Sequence, residues 1–134
     1  MAILVLGMSP VLAVVDDLMF LSRIREAARG AGLGVRAVRT TAELVGAARD
    51  GARLVLVDAD SGRLPWAEAV RALRADETTN RLLVVAFLSH VHAERADEAR
   101  AAGCSRVLAR GAFVQELPRI MTAAAHDAQE DSTP

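Results

Sequence analysis

The chain contains no lysine and no tyrosine, and only one cysteine and one tryptophan, among its 134 residues. All sixteen basic side chains are therefore arginines. Any cation the chain brings to a site is a broad planar guanidinium rather than a compact ammonium. The single thiol, Cys104, excludes an intramolecular disulfide and fits a reducing, cytoplasmic setting. Charge of one sign is not in excess either. A formal net charge of −1 offers no global field for nucleic acid, and no basic tail is present. Long apolar runs are also missing. The longest, residues 2–15, is interrupted by Gly7, Ser9 and Pro10, which makes it a poor membrane span. No positive charge precedes it, as a secretory signal would require. Neither nucleic acid nor membrane is an expected partner.

What is present is a soluble, globular composition. Apolar residues make up 52% and charged residues 25%, in a length suited to one domain with a real core. Short apolar runs at residues 11–15, 35–38, 54–57, 82–88 and 106–108 read as strands, the third and fourth apolar enough to be buried on both faces. Helical stripes lie between them. Phe20, Leu21, Ile24, Ala27 and Ala28 form the first, closed by Gly30, Gly32 and Gly34. Thr41 is placed to cap a second, with Leu44, Val45 and Ala48 inward. Trp66, Val70 and Leu73 stripe a third, with Pro65 near its start. An Ala-rich, charged fourth helix over residues 92–102 stops at Gly103, and Phe113, Leu117, Ile120, Met121 and Ala124 form a fifth. Five β-α units with short connections predict a single-domain, doubly wound parallel α/β sheet. Residues 1–10 read as an N-terminal extension, 11–126 as the domain and 127–134 as a polar tail.

In open sheets of this kind, function gathers where the carboxyl ends of the strands meet. Asp16 and Asp17 follow the first predicted strand, Asp58 and Asp60 the third, Ser89 the fourth and Arg110 the fifth. Two adjacent carboxylates at the mouth of a buried strand repel each other and need a partner. Converging with Asp58, they make a hard-oxygen site suited to Mg²⁺, whose charge offsets that repulsion. Several plainer readings stand beside this one. The acidic pair can be a turn and helix cap. Asp60 can be a loop residue or the cap of the next helix. Arg110 can pair with the acidic cluster and replace a cation altogether. His90 and His92 lack a third ligand, the Gly30–Gly32–Gly34 set follows a helix rather than a strand, and Cys104 reads as structural.

The segments "VLAVVDD", "LVLVDAD", "VVAFLS" and "AAGCSRVLAR" resemble, in order and spacing, the successive strand ends of response-regulator receiver domains. The resemblance runs from about Val11 to Ala124. It implies a flavodoxin-like five-stranded sheet of order 2-1-3-4-5 and a stand-alone bacterial two-component signalling module acting by protein–protein contact. It assigns Asp58 as phosphoacceptor, Asp16, Asp17 and Asp58 as the Mg²⁺ ligands, and Ser89 and Arg110 as phosphoryl-binding groups. The implied partners are a histidine kinase or phosphotransfer protein and a downstream target, with a homodimer also allowed. Glu94, Arg95, Glu98 and Arg106 would lie on the contact face, and no enzymatic turnover beyond self-phosphorylation of Asp58 is implied.

The departures from that family point to an atypical or pseudo-receiver. Arg110 stands where the family has lysine, and the proline that usually follows is absent from "ARGAF". His90 occupies a position usually small, Val107 one usually aromatic, and "SGRLPW" replaces the family's Met-Pro and Asp-Gly turn. Such a degenerate switch leaves a phosphorylation-independent interaction domain as the alternative. "LVLVDAD" is also similar to the strand–DxD motif of haloacid-dehalogenase-type phosphatases, with Asp58 as nucleophile and Asp60 as acid. That family implies a downstream lysine, which this chain lacks.

Overall fold

The computed structural model describes residues 10–89 and 93–131. Ten elements alternate along the chain: β1 (Val11–Val14), α1 (Leu18–Gly30), β2 (Val35–Ala37), α2 (Thr41–Arg49), β3 (Leu54–Asp58), α3 (Trp66–Ala75), β4 (Leu83–Leu88), α4 (Ala93–Ala102), β5 (Arg106–Ala109) and α5 (Arg110–Asp131). All strand pairs are parallel, in the order β2-β1-β3-β4-β5. The expected extension, residues 1–10, lies outside the described residues except for Pro10, as do His90 and His92.

The three central strands are apolar because both of their faces are covered. Val11, Ala13, Leu54, Leu56, Val85 and Phe87 point toward α1 and α5, where Ile24, Phe113, Leu117 and Met121 complete one core layer. The intervening residues Leu12, Val14, Val55, Val57, Val84, Ala86 and Leu88 face α2, α3 and α4 and build the other layer, which includes Trp66. Strand side chains alternate between faces, so one run of sequence feeds two cores.

Helix ends follow local chemistry. Gly32, at φ 76°, takes the left-handed position after α1, while the Leu33 N–H returns to the Ala28 carbonyl at 2.8 Å. The cap of α2 corrects the sequence expectation. Thr40, in extended backbone, accepts from the Glu43 N–H at 3.0 Å, and Thr41 is the first helical residue with its hydroxyl buried and unpartnered. Adjacent threonines offer the same cap chemistry, and only backbone conformation separates them. Helix α4 brings just Ala99 and Ala102 into the core, so it packs on small side chains. Helix α5 starts at Arg110, directly after β5, and runs through Pro118 to Asp131. The polar stretch beyond residue 126 therefore begins as helix, which Ala, Gln and Glu all favour.

Candidate functional site

The strand order reverses between β1 and β3, and that switch point opens a crevice at their carboxyl ends. Asp58 closes β3 there with 3% of its surface exposed. Its Oδ1 accepts the Asp60 N–H at 2.9 Å, a local turn bond that fixes the carboxylate plane. Asp16, after β1, is half-buried and its Oδ1 accepts the Ser61 hydroxyl at 3.3 Å. Burial holds the Asp58 carboxyl above the usual carboxylate range, and the nearby Asp60 and Asp16 charges add to this. The Asp60 N–H and the Arg110 guanidinium oppose the rise without cancelling it.

Arg110 crosses this crevice from the first position of α5. Its Nη2 lies 3.3 Å from both Asp58 oxygens and its Nε 3.4 Å from Asp60 Oδ2. These are long contacts, so one guanidinium is shared between two carboxylates rather than committed bidentately to one. The guanidinium also rests on an aromatic platform, with its Cζ 4.6 Å from the Phe20 ring centroid and 5.4 Å from that of Phe87. Phe20, Phe87 and Phe113 stack in series, at 4.8 and 4.3 Å between successive centroids. They are all the phenylalanines of the chain.

Asp60 lies in the turn after β3, as expected of a loop residue, and does not cap α3; its carboxylate there is a junction. Its Oδ2 accepts the Ser89 N–H at 2.7 Å, and its Oδ1 pairs with Arg95 of α4 at 3.0 Å. Burial alone would raise its pKa, but the Ser89 N–H, Arg95 and Arg110 together hold the carboxyl below its ordinary value. The sequence reading put Arg95 on an outward contact face. Its side chain remains 43% exposed while pairing with Asp60, and Arg106 pairs with Glu116 at 2.9 Å. The usable signal for Arg95 is modest: a single arginine in the first turn of α4, seven residues past the end of β4.

The structure thus brings together Asp16, Asp58, Asp60, Ser89 and Arg110 at one edge, with Ser89 contributing its backbone N–H. Asp17 is engaged elsewhere. It is the N-cap of α1, accepting from the Met19 and Phe20 N–H groups at 2.9 and 3.1 Å. Among the described residues, no group of three or more His, Cys, Asp or Glu side chains stands close enough to hold a metal ion. With Asp17 on its own helix and a guanidinium facing both Asp58 oxygens, the arrangement does not fit magnesium, which would have to displace Arg110 to reach Asp58.

Comparison with solved structures places this architecture. A response regulator from Hahella chejuensis superimposes with a TM-score of 0.73 at 19% identity, over 87% of this chain and 94% of that one. The fold is that of the response-regulator receiver domains. A second receiver domain, from a sensor histidine kinase of Pseudomonas aeruginosa with a magnesium ion coordinated in its active site cleft, gives 0.71 at 24% identity, over 89% and 98%. A phosphorylated cyanobacterial phytochrome response regulator gives 0.68 at 17%, over 94% and 97%. No family model and no curated protein matches the sequence. In receiver-fold terms, Asp58 ends the third strand, Arg110 follows the fifth, and Val107 lies half-buried against the α2–α4 core layer. No helix among the described residues is long and apolar enough to cross a membrane.

Proposed function

We propose that this chain is a receiver-like signalling module of a two-component pathway, acting through protein–protein contact, with Asp58 as its phosphoacceptor and a degenerate switch. The observation that carries this reading is the buried Asp58 carboxylate at the end of β3, faced by Arg110 and flanked by Asp16. Asp58 Oδ1 is occupied by the Asp60 N–H, which leaves Oδ2, faced only by Arg110 in the described contacts, as the attacking oxygen. It would attack the phosphorus of a phosphohistidine or small phosphodonor in line. A new P–O bond forms as the bond to the leaving group breaks, and the leaving group takes up a proton. Arg110 would hold the transferred oxygens from one side and the β4 end at Ser89 would border the other. No turnover on an external substrate is assigned.

Partner contact has support at the rim of the same site. Leu18 and Met19, at the start of α1, are 79% and 74% exposed. Met19 lines a groove together with Phe20, Arg23, Arg110 and Val114. Large apolar side chains held this far into solvent suit a protein partner such as a histidine kinase or phosphotransfer protein. The weakness of the switch follows from what links site to surface. A phosphoryl group shifts an equilibrium only through contacts that differ between two states. Val107 offers no ring to swing inward, and Asp60 already ties Arg95 of α4 in place.

Treatment with acetyl phosphate, with and without Mg²⁺, followed by intact mass, tests the reading. Slow, substoichiometric labelling that vanishes in Asp58→Asn is expected, with backbone NMR shifts confined to the surroundings of Asp58 and Ser89. Complete absence of label would favour the phosphorylation-independent interaction domain, which the guanidinium facing both Asp58 oxygens also supports. Rapid stoichiometric labelling with shifts out to Phe113 and Leu117 would instead restore a conventional switch.

A further inference from the structure

We infer that the Arg110 guanidinium takes the place of a divalent cation in this pocket, so that the Asp58–Asp60 pair is neutralised without magnesium. This rests on the Asp58 crevice being the functional site. The ion pairs balance: Asp58 and Asp60 supply two negative charges, and Arg110 and Arg95 two positive ones. Asp16 is left outside this set with the Ser61 hydroxyl. Arg110 is held on three sides, by Asp58, by Asp60 and by the Phe20 ring. It is also the first residue of α5 and follows the last residue of β5 without a loop, so its Cα has little freedom to withdraw. A magnesium ion binds carboxylate oxygen at about 2.0–2.1 Å. At Asp58 it would meet a guanidinium nitrogen 3.3 Å from both oxygens, and like charges at that range repel strongly in a partly buried site. A lysine ammonium, as a point charge, would cover one carboxylate and leave the other for a metal, whereas the fork spans both.

The test uses the full chain, with MgCl₂ to about 10 mM in thermal melts and MnCl₂ as a paramagnetic probe in amide NMR. The wild type should melt within about 1 °C of its metal-free value, with the Asp16 and Asp58 amides unbroadened by Mn²⁺. Arg110→Met keeps an unbranched stem on Phe20 but removes the charge, and should gain about 3–5 °C with Mg²⁺ together with selective broadening. If that variant does not fold, Arg110→Lys takes its place, with a smaller gain expected. A wild type that responds to either ion overturns the inference, as does a folded Met variant, or failing that a Lys variant, as silent as the wild type. Labelling of Asp58 is scored separately by mass. An unlabelled protein with the expected metal pattern sinks the signalling chemistry and leaves this inference standing, and a labelled wild type that binds Mg²⁺ does the reverse.

Discussion

Removing the Asp60 carboxylate should loosen α4 more than any other single change at the site. The Ser89 N–H lies 2.7 Å from Asp60 Oδ2, and a charge-assisted bond of that kind contributes about 1.5–3 kcal/mol. The Arg95 side chain is 43% exposed, so its ion pair adds only about 0.5 kcal/mol. The Arg110 contact, at 3.4 Å, adds little. Asp60→Ala should therefore cost about 2–3 kcal/mol, while Asp60→Asn, which keeps an acceptor for Ser89, should cost about half as much. Urea unfolding at neutral pH reads both. The pH dependence carries a sign as well. The folded-state pKa of Asp60 lies below its ordinary 3.8, so its contribution is present above the unfolded value and is lost as pH falls through the folded one. Asp60→Asn should flatten that acid limb. Hydrogen exchange should show faster opening of α4, whose core contribution is limited to Ala99 and Ala102. A loss under 0.5 kcal/mol for Asp60→Ala, about the scatter of a neutral surface change, would show that the junction holds nothing. Equal losses for Ala and Asn would refute the role of the Ser89 bond.

Other substitutions separate the remaining contacts. Asp58→Asn should stabilise the fold at neutral pH by on the order of 1 kcal/mol, because burial penalises the charged carboxyl. A raised folded pKa favours the protonated form, so this gain should shrink as pH falls below that pKa, and denaturant melts at neutral and acid pH would show it. Asp17→Ala should cost about 1 kcal/mol through the lost α1 cap, with Asp17→Ser restoring most of it; no recovery with serine would mean that the capping bonds carry no stability. Gly103 sits at φ 115° with the Arg74 side chain 2.6 Å from where a Cβ would fall. Gly103→Ala should cost about 2–3 kcal/mol in the same melts, and a neutral result would mean that the turn relaxes freely.

The sheet was legible because β1, β3 and β4 are buried on both faces, which demands runs such as Leu54–Val57 with no polar alternation. Strand-end residues were legible for the same reason: a carboxylate such as Asp58 directly after such a run has to emerge at the sheet edge. The partners of those residues were not. Arg95 and Asp60 are 35 positions apart, and nothing local in "AERADEAR" separates an arginine that pairs with a distant carboxylate from one that does not. Asp17 illustrates a different ambiguity, since a carboxylate that can ligate a metal can equally accept two helix N–H groups. Thr40 and Thr41 differ only in backbone torsion, which composition does not encode. The end of α5 was read too early because its polar residues are also good helix formers.

The split of the core into two layers also divides the aromatic residues. Trp66 is buried in the layer under α2, α3 and α4, and with no tyrosine in the chain it is the sole long-wavelength fluorophore. The three stacked phenylalanines lie across the sheet, Phe20 directly beneath Arg110. Fluorescence emission therefore follows one side of the molecule and the phenylalanine ring resonances in NMR the other. An unfolding experiment that records both can ask, with no introduced label, whether the two halves of the core give way together.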